Sequence, residues 1–244
     1  MREILTFIAK KKWKTKMNLI GAYFNVRMHN NSEHLTAWGC TLGHFHYKVL
    51  PMGLTNATAT FQQLMNHLFA DYLSEFLRDY LDDLIVASDT LQEHVPECMM
   101  VLKRLKAYSL KVKLAKCEFV KIEIQFFGHI VTHGMIKPMP SKLEKLKAFK
   151  IPNKISVVQA FVGLANYYKP MAANFASVAA PLYKCIAEPK FSWNEKRQEA
   201  YDKIKNIVTS DSFLVAPDWD KLFIVDSDAC LEGIGGLLNQ EHNG

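Results

Sequence analysis

The tetrapeptide Tyr80-Leu81-Asp82-Asp83 restricts what this chain can fold into more than any other segment. It follows Phe76 and Leu77 and precedes the apolar run at 84–87. Apolar residues on both sides predict two strands that meet in a tight turn, with the carboxylates at its tip. We expect this pair to be buried, and buried adjacent negative charges repel each other unless a cation lies between them. Mg²⁺ is the best candidate because it prefers hard oxygen ligands. The alternative is an exposed, acidic hairpin turn.

Five further segments accompany this tetrapeptide. They read MNLIGAYFNVRM at 17–28, LTAWGCTLGHFHYKVLPMGLTNATATFQQLM at 35–65, KCEFVKIEIQFFGHIVTHGMI at 116–136, FVGLANYY and FSW at 161–168 and 191–193 within a helical stretch at 155–193, and LFIVDSDACLEGIGGLLNQ at 222–240. In this order the six segments resemble the polymerase polyprotein of gypsy-type LTR retrotransposons. One such match would be weak support, whereas six in the family's order favour the resemblance strongly.

The resemblance implies an α/β (α+β) fold with three parts. Residues 1–137 are expected to form a reverse transcriptase palm, with an antiparallel sheet and packed helices. Residues 138–205 would form a helical thumb, and 206–244 the incomplete start of a ribonuclease H-like domain. Pro138 and Pro140 mark the first boundary. The resemblance further implies that the fingers would be mostly absent and the ribonuclease H-like part truncated.

The resemblance also implies a catalytic centre. Asp82 and Asp83 correspond to metal ligands of a site for two-metal nucleotidyl transfer. The family's first metal-binding aspartate falls on Asn18, which keeps the shape of an aspartate without its charge. We therefore expect Asn18 next to Asp82 on neighbouring antiparallel strands, and an incomplete site for Mg²⁺ or Mn²⁺. Losing about 3 kcal/mol of transition-state stabilisation would slow the reaction roughly a hundredfold.

Four more positions match residues that the family uses to hold a nucleotide. Tyr23 falls on the aromatic residue that blocks a ribose 2′-hydroxyl, although an ordinary core tyrosine is the alternative. Met52 and Gly53 would open the helix beneath the template and the incoming nucleotide. Lys116 would lie near the triphosphate, although a surface lysine fits the sequence nearly as well.

Two matches concern other parts of the family's polyprotein. Phe127, Gly128 and His129 correspond to the primer grip, which supports the end of the primer. Asp228 corresponds to the first carboxylate of the ribonuclease H centre. A single carboxylate cannot build a two-metal site, so we expect no catalysis from this remnant.

Bulk properties agree with a globular, nucleic-acid-binding chain. Of its 244 residues, 49% are hydrophobic and 22% charged, and the formal net charge is +6. This mild excess is compatible with a polyanionic partner, and the family implies primer–template nucleic acid and deoxynucleoside triphosphates. The five cysteines have no paired spacing, so we expect a reducing, intracellular compartment (cytoplasm or nucleus) and neither disulfides nor a zinc site. No apolar run is long enough to span a membrane, and no signal peptide is evident.

Local patterns predict several elements. We expect a helix over 2–12, a strand over 17–28, a hairpin over 76–87 and a helix from His94 to Leu110. The helix that follows Asn56 should place Phe61, Leu64, Met65, Leu68 and Phe69 on one stripe.

Three functions fit these observations. The first is a fragment of an RNA-directed DNA polymerase, which the intact Asp82-Asp83 pair favours. The second is a catalytically dead remnant of that enzyme, which Asn18 and the family parts that are missing favour. The third is an interaction module, adopted by a host, in which the palm is only a scaffold.

Overall fold

The computed structural model describes residues 2–169, 175–209, 214–215, 221–230 and 233–241, with the backbone alone at 2, 214–215, 228–230, 233–234 and 237. The chain divides into two compact units, Met1–His133 and Gly134–Gly244, each with its own hydrophobic core. Helices combined with antiparallel sheets confirm the predicted fold class. The predicted boundaries of palm, thumb and ribonuclease H-like part stay predictions.

The first unit is built around an antiparallel sheet. Its elements are α1 (Arg2–Lys10), β1 (Trp13–Asn18), β2 (Trp38–Cys40), β3 (Gly43–Phe45), α2 (Ala57–Leu68), β4 (Leu77–Tyr80), β5 (Asp83–Ser88), α3 (Leu91–Ala107), β6 (Glu118–Lys121), β7 (Ile124–Phe126) and β8 (His129–Thr132). Four strands form the main sheet in the order β4-β5-β1-β6, so β1 lies between β5 and β6.

Strand β5 is buried because it is apolar at four consecutive positions. Leu84, Ile85, Val86 and Ala87 are all fully inaccessible, as expected for a strand covered on both faces. Strand β4 pairs with it in antiparallel register, with Leu77 opposite Val86. The hairpin predicted over 76–87 is therefore confirmed.

Two helices bury apolar stripes in the core of this unit. Helix α2 buries Phe61, Met65 and Leu68, which recur at helical spacing as predicted. Helix α3 begins three residues before the predicted start, because Thr90 and Glu93 form a capping box that satisfies free backbone N–H groups.

The strand predicted over 17–28 is wrong beyond its first residues. Strand β1 ends at Asn18, and Gly21 adopts a φ of 58°, in the left-handed region that interrupts an extended chain. A short 3₁₀ helix follows over Ala22–Asn25. The alternating apolar residues after Asn18 therefore lie in a turn and a short 3₁₀ helix, and not in a strand.

The second unit contains strand β9 (Met135–Pro138), helices α4 (Pro140–Lys147), α5 (Ile155–Asn166), α6 (Phe175–Ala187) and α7 (Glu195–Thr209), and strands β10 (Leu214–Val215), β11 (Ile224–Cys230) and β12 (Gly233–Asn239). Its core includes the rings of Phe161 and Tyr201, whose centroids are 4.3 Å apart. Strands β11 and β12 form an antiparallel pair. In the part of the chain that the structure describes, no helix is long and apolar enough to cross a membrane.

Candidate active site

The acidic pair lies at the tip of the β4–β5 hairpin. Tyr80 and Asp83 are the last paired residues, so Leu81 and Asp82 form a two-residue turn. Leu81 has a φ of 58°, a conformation that costs a non-glycine residue roughly 1 kcal/mol or more. The neighbouring structure must stabilise this strained turn.

Asn18 lies beside the acidic pair, as the sequence predicted. It ends β1 and is paired with Asp83 across the β1–β5 ladder. Its Nδ2 donates to Asp83 Oδ1 at 2.9 Å and to Asp82 Oδ2 at 3.2 Å. The backbone N–H of Leu19 also donates to the carbonyl of Asp82 at 2.9 Å. The side-chain amide therefore occupies the position between the two carboxylates.

The expectation that both acids are buried is wrong. Asp82 is exposed and Asp83 is half-buried, because the two-residue turn leaves Asp82 outside the paired ladder. Two features therefore moderate the repulsion between the carboxylates. Water reaches Asp82, and the amide of Asn18 supplies a donor to each acid.

Gln62 on α2 holds the hairpin turn, a role that the sequence does not predict. Its Oε1 accepts from the backbone N–H of Leu81 at 3.1 Å, while its Nε2 donates to Asp79 Oδ2 at 2.6 Å. Burial raises the pKa of Asp79, and the donation from Gln62 acts in the opposite direction. The one sequence signal for this contact is a polar residue directly beside the apolar stripe of an amphipathic helix.

The positions matched to the family's nucleotide-binding residues are spread over several elements. Tyr23 is half-buried in the 3₁₀ helix after β1; its ring meets Phe61 edge-on, and its hydroxyl lies 3.4 Å from Thr58 Oγ1. Met52 and Gly53 lie exposed in the turn that precedes α2, rather than in the helix itself. Gly53 has a φ of 96°, which favours glycine, and open space where a Cβ would be.

Lys116 is exposed beside the acidic pair. It lines a cavity of about 390 Å³ together with Asn18, Asp83, Lys16 and Glu118. Lys16 Nζ pairs with Glu118 at 2.6 Å. Because Glu118 balances the charge of Lys16, Lys116 is the group of this wall that suits an anion bound next to Asn18 and Asp83.

The segment matched to the primer grip forms the β7–β8 turn. Phe127 and Gly128 have φ values of 46° and 67°, as a two-residue hairpin turn with two left-handed positions requires. The buried ring of His129 lies with Nδ1 2.8 Å from the carbonyl of Phe127, and burial lowers its pKa. Phe127 contacts Tyr80, so the structure brings this turn to the acidic hairpin.

Asp228 lies on β11 opposite Gly235. The structure describes its backbone but not its side chain, so the predicted ribonuclease H carboxylate lies outside the described side chains.

The oxygen atoms at the hairpin tip fit one hard divalent cation. Asp82 and Asp83 supply two carboxylates, whereas Asn18 faces them with an N–H donor and would have to rotate to offer its amide oxygen. Among the described residues, no three His, Cys, Asp or Glu side chains form a group that could hold a metal. The donor set therefore suits a single cation that keeps much of its water, and it lacks the third carboxylate of a two-metal site.

An antiparallel sheet with packed helices and an acidic hairpin tip defines the palm class of polymerases. The sequence profile described as reverse transcriptase (RNA-dependent DNA polymerase) matches residues 2–131, and the profile of an RNase H-like domain found in reverse transcriptase matches 193–244. The chain therefore belongs to the reverse transcriptase family, and it is the reverse transcriptase domain of a retrotransposon polyprotein.

Two curated relatives come from Drosophila melanogaster. The retrovirus-related Pol polyprotein from transposon 297 is 36% identical over 242 residues, covering 98% of this chain and 23% of the relative. The corresponding polyprotein from transposon gypsy is 28% identical, covering 98% of this chain and 24% of the relative. The chain thus spans about a quarter of the length of these relatives, and the resemblance to gypsy-type polyproteins is confirmed.

Solved structures share the fold. A foamy viral protease-reverse transcriptase in complex with double-stranded DNA has a TM-score of 0.87 at 21% identity, covering 98% of this chain and 42% of that one. The same kind of protein in complex with an RNA/DNA hybrid has a TM-score of 0.80 at 20% identity, covering 98% and 35%.

Proposed function

We propose that this chain is the palm and thumb of a retrotransposon RNA-directed DNA polymerase that binds primer–template nucleic acid and deoxynucleoside triphosphates. Residues 1–137 are assigned to the palm, 138–205 to the thumb and 206–244 to a ribonuclease H-like part. The foamy viral structures of the same fold contain an RNA/DNA hybrid or double-stranded DNA, which supports this choice of partner. The net charge of +6 favours the same class of ligand.

Residues around the acidic tip are assigned roles by their match to the family. Tyr23, Met52, Gly53 and Lys116 are assigned to the nucleotide, and the cavity beside Lys116 supports the last of these. Phe127, Gly128 and His129 are assigned to the primer end, and the Phe127–Tyr80 contact supports this.

Asp82 and Asp83 are proposed to hold a divalent cation, Mg²⁺ or Mn²⁺. When bound, the ion would activate a primer 3′-hydroxyl and neutralise phosphate charge. The observation that carries this proposal is the position of the two carboxylates, which lie together at the hairpin tip beside the cavity that Asn18, Asp83 and Lys116 line. Asn18 Nδ2 donates to both carboxylates, so this amide group competes with a cation for the same oxygen atoms. Metal binding and catalysis should therefore be weak in this chain.

Titration with Mn²⁺ by calorimetry tests this competition. Asn18→Asp should raise the affinity at least tenfold, because it adds a hard charged ligand. Asn18→Ala should leave the affinity equal or raise it, because it removes the competing donor. A lower affinity in Asn18→Ala would show that the amide oxygen is a ligand, and equal affinity in Asn18→Asp would remove position 18 from the site. Asn31→Asp, at an exposed position of the same unit, is the matched control.

A catalytically dead remnant that binds nucleic acid or protein is the second candidate. The same hydrogen bonds favour it, because they satisfy both carboxylates without an ion. Primer extension by the unmodified chain with Mg²⁺ or Mn²⁺ separates the two candidates.

A further inference from the structure

A chain of buried polar side chains crosses the first unit away from the acidic pair. The ring of His94 on α3 is fully buried, with Nδ1 2.7 Å from Ser88 Oγ on β5 and Nε2 2.7 Å from Thr15 Oγ1 on β1. Thr15 and Ser88 are themselves buried, at 0% and 3% exposure. One imidazole therefore joins hydroxyl groups on two neighbouring strands of the main sheet.

The groups at the two ends of this hydrogen-bond chain determine where each proton lies. Ser88 has a single hydroxyl proton and donates it to the carboxylate of Glu97, so His94 Nδ1 must donate to Ser88. At the other end, Thr15 Oγ1 accepts from the backbone N–H of Val120 at 3.0 Å. The proton of Thr15 is then free to be donated to His94 Nε2. A neutral imidazole has one donor and one acceptor nitrogen, which satisfies every group in the chain.

The surroundings oppose a second proton on this ring. Burial is the main cause that lowers the pKa of His94, and the nearby Lys14 lowers it further. Helix α3 packs against β1, β5 and β6. The charged groups at or beside this contact are Lys14 on β1, Lys121 on β6, Asp89 directly after β5 and paired with Lys11, and Glu93 and Glu97 on α3 itself. The thiol of Cys98, 3.6 Å from Nε2, has a pKa that burial raises.

We propose that this hydrogen-bond chain is an acid-sensitive clamp, which fastens α3 to the main sheet while His94 is neutral and protonated on Nδ1. A proton on Nε2 would force the hydroxyl proton of Thr15 to turn away from the ring and would add positive charge beside Lys14. The clamp joins β1 and β5, whose far ends carry Asn18 and Asp83. It needs neither a bound metal nor nucleic acid, so it does not depend on the function proposed above.

Nitrogen-15 NMR of the full chain labelled at histidine tests the protonation state directly. At pH 7.5 the signals of His94 should show a proton on Nδ1 and none on Nε2. The ring should stay neutral on acidification to below the ordinary histidine pKa of about 6.5. A proton on Nε2 at pH 7.5, or ordinary titration near 6.5, would overturn the proposal.

Urea unfolding between pH 8 and pH 5 tests the consequence. The folded state resists protonation of His94, so stability is complete above about pH 6.5 and falls as pH drops toward the lower folded pKa. In this range, His94 contributes up to about a tenfold rise in the unfolding equilibrium constant per pH unit. His94→Phe should remove this part of the pH dependence of unfolding. His67→Phe, at an exposed position, should leave it in place. Thr15→Ser should behave like the unmodified chain, unlike Thr15→Val. A pH slope unchanged in His94→Phe would contradict the proposal, and if that variant does not fold, the NMR titration decides alone.

Discussion

The ring of Phe127 meets the ring of Tyr80 edge-on, with centroids 4.6 Å apart and planes at 90°. The contact joins the β7–β8 turn to the residue that precedes the acidic turn. Phe127 has a φ of 46°, which costs a non-glycine residue free energy, so the ring contact helps to hold a strained backbone.

A double-mutant cycle measures this contact. Tyr80→Leu and Phe127→Leu should each lower the free energy of unfolding, with a coupling energy of about 0.5–1.5 kcal/mol between them. The pair Tyr80→Leu and Tyr47→Leu is the control. Tyr47 is exposed in the same unit and makes no ring contact with Tyr80 among the described residues, so the coupling energy of this pair should be near zero. Equal coupling in both pairs would show that the aromatic contact contributes nothing specific.

Gln62→Met tests how the acidic turn is held. The change removes the acceptor of the Leu81 N–H and the donor to Asp79, so the free energy of unfolding should fall by about 1–3 kcal/mol. Because the Gln62 donation lowers the pKa of Asp79 against the effect of burial, that pKa should rise further in the variant. Carbon-13 NMR of the carboxyl groups and urea unfolding measure the two effects. Gln63→Met, an exposed neighbour on the same helix, should change neither.

Duplex binding should depend steeply on salt. Each phosphate that a lysine or arginine neutralises adds about 0.9 to the slope of log affinity against log salt concentration. Lys142 and Lys145 are exposed on α4, and we expect them to contact the phosphates of the duplex. Changing both to Gln should reduce this slope, whereas Lys196→Gln, at an exposed position on α7, should leave it unchanged. Fluorescence anisotropy with a labelled primer–template from 50 to 200 mM salt, the range over which such contacts weaken binding strongly, gives the slope. No binding even at the lowest salt would favour the protein-scaffold alternative.

Polymerase activity of the unmodified chain should not rise above background. Asn18→Asp should raise the rate of primer extension by roughly a hundredfold, the equivalent of about 3 kcal/mol of transition-state stabilisation. Adding Asp82→Asn to that variant should abolish the gain. Robust extension by the unmodified chain would show that two carboxylates are sufficient.

The sequence predicted those parts of the site that depend on local pattern. The apolar runs around Asp82 and Asp83 require a hairpin, and pairing with β1 then brings Asn18 to the tip. The strand over 17–28 failed because a short alternating segment does not reveal a left-handed backbone at Gly21.

Contacts between distant side chains could not be predicted in this way. Gln62 is 19 residues from Leu81, and Thr15 is 79 residues from His94, so each contact depends on how a helix packs on the sheet. The exposure of Asp82 also follows from turn geometry, since a two-residue loop leaves one acid outside the ladder.

The amide of Asn18 means that the hairpin tip does not need a bound cation for its stability. Three carboxylates at this tip would repel one another in the absence of a cation. The amide of Asn18 instead donates a hydrogen bond to each of the two carboxylates. An amide in place of a carboxylate should therefore stabilise the metal-free tip and lower its affinity for a metal. Stability and activity commonly oppose each other in this way. The hydrogen bonds of Asn18 therefore let the hairpin tip keep its conformation without a bound ion.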